Sequence, residues 1–140
     1  MTNVTPIIVE TTVNAPIEAV WACWTEPAHI MQWNQASDDW HTTSATNDLR
    51  DGGSFTSRME AKDKSFGFDF GGTYTRVLQH KHIAYVMSDG RKVSIDFTSQ
   101  DGRTRIIEMF DPESENSPEM QKQGWQAIMN SFKRHAEAQK

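Results

Sequence analysis

The chain has one cysteine among its 140 residues, Cys23, and that scarcity excludes a disulfide scaffold outright. A lone thiol has no intrachain partner and gives no expectation of a Cys-based metal site; a reducing compartment fits. Clustered positive charge is also missing. Lys and Arg number 14 against 19 Asp and Glu, a formal net charge of -5. A nucleic-acid groove or an anionic membrane surface needs grouped cations, so neither partner is expected. No apolar run approaches the roughly 20 residues of a spanning helix. The opening MTNVTPIIVE lacks the basic flank and apolar core of a signal peptide, which reads as cytoplasmic. Motifs of known chemistry are absent too: no nucleophile-elbow serine, Cys–His pair, Walker loop or HExxH. GFDFGG is too little of a dinucleotide fingerprint, and no helix follows it. No cofactor and no metal are expected.

Large apolar side chains are plentiful: five Trp, seven Phe and seven Met. Met adapts its shape, and an aromatic, Met-rich set suits a cavity wall as well as a core. The strongest single pattern is C-terminal, Ser117 to about His135. Ser117 can accept from free N–H groups, and Pro118 at the first helical position loses no needed donor. Met120, Gly124, Trp125, Ile128, Met129, Phe132 and Ala136 then recur at helical spacing along one face. Gly124 is the odd member, since a mid-helix Gly costs about 1 kcal/mol relative to Ala. Either something comes close there or a space is left open, and filling the position is expected to carry a penalty.

The preceding residues are mostly strand. Val4–Val13 alternates and predicts a first strand; Asn14-Ala15-Pro16 predicts a helix start, with Asn14 or Ala15 as the cap. A second short helix follows Pro27, with Ile30, Met31 and Trp33 as its apolar set. Asn34 to Thr43 reads as a polar loop that holds Trp40 and His41. Strands are predicted at 45–50 and 53–61, then through Phe66, Phe68, Phe70, Gly72 and Tyr74, whose period of two is the sharpest in the chain. Gly71-Gly72 within that run predicts a bulge or bend. Asp89-Gly90 and Asp101-Gly102 mark tight hairpins between strands near 82–88, 91–99 and 103–110. The expected architecture is one α+β domain over residues 1–140, a curved antiparallel β-sheet wrapped around a long C-terminal α-helix, with two short helices after the first strand.

APIEAVW, WTEPAHIMQW, DDW, GGSF, FGFDFGGTY and GWQAIMNSF, taken together, resemble the START/SRPBCC (helix-grip, Bet v 1-like) superfamily. Within it the chain is similar to the family of homologues of the activator of the heat-shock protein 90 ATPase, over roughly positions 5 to 135. The resemblance implies a helix-grip fold whose first strand closes beside the last, and a hydrophobic cavity between sheet and C-terminal helix. It also implies a kinship with lipid and hormone carriers, polyketide aromatase/cyclases and a chaperone activator of the stress response. That activator carries a further N-terminal domain for which this sequence has no room, so chaperone activation is not expected here.

By strand parity Phe55, Met59, Phe68, Phe70 and Tyr74 lie on the concave face. Ile30, Met31, Trp33, Trp125, Met129 and Phe132 join them from the helices, with Trp40 near the cavity mouth. Periodicity cannot distinguish a cavity lining from a filled core. Glu108 lies in TRIIEMF, where both parities carry apolar residues, so its facing is open. Turned inward, its carboxyl must pair with a cation or hold its proton. His41 could serve beside it as an acid or base, or stay an ordinary loop histidine. His80 and His82 share a strand face, two apart, and read as a solvated pair, with no third metal ligand nearby. The leading expectation is binding of a small hydrophobic molecule, aromatic or lipid-like, by a carrier or sensor. The alternatives are a cyclase- or hydrolase-type enzyme using Glu108, and a chaperone-related interaction domain; a protein partner is not otherwise indicated.

Overall fold

The computed structural model describes residues 5–139. The chain runs β1 (Ile7–Val13), α1 (Ile17–Thr25), α2 (Pro27–Trp33), β2 (Trp40–Asn47), β3 (Ser54–Ala61), β4 (Gly67–Leu78), β5 (His82–Met87), β6 (Lys92–Gln100), β7 (Arg103–Phe110) and α3 (Pro118–Ala138). Seven antiparallel strands form one curled sheet in the order β1-β7-β6-β5-β4-β3-β2. The α+β class and the helix-grip arrangement match the expectation, including β1 paired to β7 in the register Val9↔Glu108.

Both sheet edges are covered, which removes the free backbone rows that invite strand addition. Along β1, α3 sends Gln126 Nε2 to the Glu10 carbonyl at 3.2 Å and Lys133 Nζ to the Thr12 carbonyl at 2.8 Å. At the other edge, Thr42 Oγ1 donates to the Asn34 carbonyl (2.7 Å) and Asn47 Nδ2 to the Thr25 carbonyl (2.6 Å). The helix pair α1–α2 therefore closes one side of the curl and α3 the other.

Sheet curvature has a local cause. β4 pairs with β3 through its first half and with β5 through its second, and Gly72 faces both Phe55 and Met87. A Cβ at Gly71 would stand 2.6 Å from the Phe55 carbonyl oxygen, and one at Gly72 would stand 2.5 Å from the Val86 oxygen. Neither position has room for a side chain. The register irregularities lie elsewhere, between Tyr74 and Arg76 and between Thr42 and Ser44. The Gly pair thus permits close strand approach, and the bulge follows it.

The core is filled by Val9, Val13, Val20, Ile83, Ile95, Ile106 and Phe110, with Met129 and Phe132 from α3. Ser117 caps α3 as expected, its hydroxyl accepting from the Met120 N–H at 3.2 Å. Four local expectations are corrected. The α1 cap is Pro16, with no side-chain bond, and the Asn14 N–H instead donates to Glu137 Oε2 at 2.8 Å. Trp40 and His41 begin β2 rather than sit in a loop. The first strand starts at Ile7, and Val4 lies outside the described residues. His80 occupies a turn with φ of 64°, so it shares no strand with His82, whose Nδ1 pairs with Asp96 at 2.7 Å.

The expected penalty at Gly124 is corrected as well: the position is open, and a Cβ there would meet nothing within 4 Å. Gly124→Ala should accordingly stabilise the fold by about 1 kcal/mol through helix propensity alone. Chemical denaturation of the two proteins checks this; a loss of stability would contradict the open space.

Candidate functional site

A cavity of about 740 Å³ lies between the concave face of the sheet and α3. Alternation along β3 turns Phe55, Ser57 and Met59 into it, and alternation along β4 does the same for Phe68, Phe70 and Tyr74. Ile83 and Tyr85 of β5, Ile95 of β6 and Glu108 of β7 continue the floor. Trp24, Ile30 and Trp33 close one side, and Gln121, Trp125 and Ile128 of α3 form the roof. Volume and lining fall in the ordinary range for small-molecule sites, about 300–1,000 Å³ and mostly apolar with a few placed polar groups.

Aromatic contacts hold the walls in place. Trp125 stacks on Phe110 with ring centroids 3.9 Å apart and planes 11° from parallel. Phe55 meets Tyr85 edge-on at 4.7 Å, and Phe70 approaches Trp125 at 6.3 Å. Trp33 donates its indole N–H to the Cys23 carbonyl at 2.8 Å, which fixes the ring against the cavity end of α2. Tyr74 donates its hydroxyl to Asn47 Oδ1 at 2.5 Å, so this phenol is already satisfied.

Glu108 is the exceptional polar group. Ile106 and Phe110 point into the core, and Glu108 shares their face of β7. It is 7% exposed. No hydrogen bond or ion pair reaches its carboxyl among the described residues. Burial in these surroundings pushes its pKa from the ordinary 4.5 up to about 8. The Tyr85 phenol stands close enough to feel this charge, and burial together with Glu108 holds it well above its usual range. At neutral pH the cavity therefore holds a protonated carboxylic acid beside a protonated phenol. Both are donors, and neither has a hydrogen-bond partner among the described residues, so both can serve a ligand oxygen.

The walls become polar toward the surface. Arg91, in the β5–β6 turn, and Glu113, Glu115 and Asn116, in the link before α3, line one end. Gln121 braces that link: its side chain accepts from the Glu113 N–H at 2.8 Å and donates to the Glu113 and Asn116 carbonyls at 3.1 and 2.8 Å. Phe68, 40% exposed, belongs both to the lining and to the outer surface, where Trp40 meets it edge-on at 5.8 Å.

Of the residues expected from sequence, Ile30, Trp33, Phe55, Met59, Phe68, Phe70, Tyr74, Glu108 and Trp125 are brought together around the cavity. Five others are not. Met129 and Phe132 are buried in the core instead, Phe132 against Trp24 of α1 and Trp33 of α2. Met31 is 37% exposed on the outer face of α2. Trp40 packs from outside on Phe66 and Phe68, and His41, on β2, does not reach the lining. His41 is thereby removed as a partner for Glu108. Tyr85 was missed although Ile83-Ala84-Tyr85 alternates clearly; Arg91 and the 113–116 link carried no sequence signal.

No helix among the described residues is long and apolar enough to cross a membrane. The family described as Activator of Hsp90 ATPase homolog 1-like protein matches residues 14–137. A solution NMR structure of the AHSA1-like protein from Aeromonas hydrophila is 47% identical, with a TM-score of 0.91 over 96% of this chain and 93% of its own. A solution structure from Cytophaga hutchinsonii is 56% identical, with a TM-score of 0.82 over 94% and 91%. A crystal structure from Nitrosomonas europaea, 19% identical with a TM-score of 0.82 over 99% and 100%, shares the fold. No match is found among curated proteins. With the family match running from the loop before α1 into the last turn of α3, the chain belongs to the family of Activator of Hsp90 ATPase homolog 1-like proteins.

Proposed function

We propose that the protein binds a small, largely apolar molecule, aromatic or lipid-like, in this cavity, as a carrier or sensor. The observation that carries the reading is an aromatic-lined space of about 740 Å³ with one unpartnered buried carboxyl, Glu108, aimed into it. A ligand with an apolar body and one acceptor oxygen matches both the aromatic lining and the Glu108 donor. Because Glu108 holds its proton up to about pH 8, it donates to such an oxygen at neutral pH. Binding should weaken at more alkaline pH as that donor becomes a buried anion. A cytoplasmic setting suits the single buried thiol at Cys23.

The test is titration with a neutral apolar fluorophore, read by its emission and by quenching of Trp125 or Trp33. Met59 is 7% exposed and lines the space, so Met59→Trp should fill it. The expected result is binding to the native protein and loss of at least about tenfold in affinity in the variant, equivalent to about 1.4 kcal/mol, with an unchanged fold by circular dichroism. Undiminished binding in the filled variant would overturn the site.

A second reading rests on the raised Glu108 pKa, which is also what a general acid needs near neutral pH. An enzyme of the cyclase or hydrolase kind would use Glu108, with Tyr85 in place of His41 as its neighbour. It requires turnover that fails in Glu108→Gln while ligand binding persists.

A further inference from the structure

Three helices meet at a second cluster that the cavity does not include. Cys23 of α1, His29 of α2 and His135 of α3 bring one sulfur and two imidazole rings together. Cys23 Sγ and one nitrogen of each ring all lie within 4.8 Å of one another. His29 Nδ1 and His135 Nε2 share a hydrogen bond of 2.8 Å, with ring centroids 5.1 Å apart at 66°. The thiol is buried and the rings are half-buried. Cysteine spacing gave no warning, because the three donors are 6 and 106 positions apart in the chain.

We propose that Cys23, His29 and His135 bind a borderline-soft divalent ion of the zinc class, leaving a fourth position for water. One thiolate and two imidazoles are ligands that such an ion prefers. Bond lengths of about 2.0–2.3 Å place tetrahedral donors roughly 3.3–3.8 Å apart. The two nitrogens then separate slightly from their hydrogen-bonded distance, and the sulfur moves in by up to about 1 Å. Loading exchanges one hydrogen bond for three metal bonds. The ring that donates must shift to the tautomer carrying hydrogen on its other nitrogen, and the Cys23 thiol gives its proton to solvent.

The surroundings favour a cation. His135 lies in the last turn of α3, where the helix dipole is negative. Burial first, and then the charge of Glu26 at the α1–α2 junction, push the Cys23 thiol up, so a bound ion must displace its proton. A bound ion would clamp the end of α3 to the α1–α2 pair, away from the apolar cavity.

The test uses chelator-treated, tag-free full-length protein and two probe metals, zinc and cobalt(II), added alone. The expected result is one ion per chain by native mass spectrometry. Cobalt should also give thiolate charge-transfer absorption and the strong visible bands of a tetrahedral site. Cys23→Ser should abolish the charge-transfer band. Because that buried substitution can disturb folding, His29→Gln and His135→Gln supply the independent arm. Each should weaken zinc binding by more than about 100-fold, the upper cost of losing an outer-shell partner, while fluorophore binding in the cavity is unchanged. Uptake below one ion per chain, cobalt uptake without a thiolate band, or undiminished zinc binding in either histidine variant overturns the site.

Discussion

Glu108→Gln should flatten the pH dependence of stability between about pH 4.5 and 8. The folded carboxyl titrates near 8 and the unfolded one at its ordinary 4.5. Below 4.5 both states hold the proton, and the group favours neither. Between the two values the unfolded chain ionises while the folded one keeps its proton, so the unfolded state gains and stability falls as pH rises. Above about 8 both are ionised and the slope disappears. Each pH unit in the window is worth about 1.4 kcal/mol, so the native protein should lose on the order of 4–5 kcal/mol across it. Glutamine cannot ionise, and its variant should lose almost none of that. Urea denaturation at pH 5 and pH 8 measures the difference. Parallel slopes in the two proteins would mean that Glu108 ionises normally in the fold.

Phe132→Ala should cost about 3–5 kcal/mol, the range for deleting a fully packed aromatic ring. Phe132 has no exposed surface. Its ring stands 4.7 Å from Trp24 and 4.9 Å from Trp33, both edge-on, so one side chain of α3 anchors α1 and α2 together. Trp125→Ala should cost less than Phe132→Ala, although indole is the larger group. Trp125 is only partly buried: one face stacks on Phe110 and the remainder borders the cavity. Its removal enlarges a space that already exists. The inverse order, with Trp125 the costlier loss, would mean that the cavity is closed and packed around that indole.

The elements of this fold are legible in the sequence, and the lining of the cavity is not. Alternation through Phe55–Met59 and Phe68–Tyr74, helical spacing after Ser117, and Asp-Gly turns identify the elements, because each is a local signal with a fixed period or a fixed dihedral demand. Which apolar residues line the cavity is a property of helix rotation and sheet curl. Trp125 and Met129 are four apart and read as one face, yet one borders the space and the other is buried in the core. Glu108 could be resolved only by strand register: pairing of β7 with β1 and β6 places Ile106, Glu108 and Phe110 on the concave side. Trp40 looked like a loop indole because its run is rich in Ser, Thr and Asp, but pairing with Ala61 makes it the start of an edge strand. The Cys23–His29–His135 junction was invisible for a different reason, since it depends on where the end of α3 lands.

The most direct test of the cavity as a binding site is methyl NMR of the native protein during addition of a neutral apolar ligand. Ile83, Ile95 and Ile128 line the cavity together with Met59, whereas Val13 and Val20 are fully buried outside it. Saturable shifts of the Ile83, Ile95, Ile128 and Met59 methyls, with Val13 and Val20 unmoved, are the predicted result. Shifts confined to the exposed Met31 and Met120, or no saturable change at any of these methyls, would contradict it.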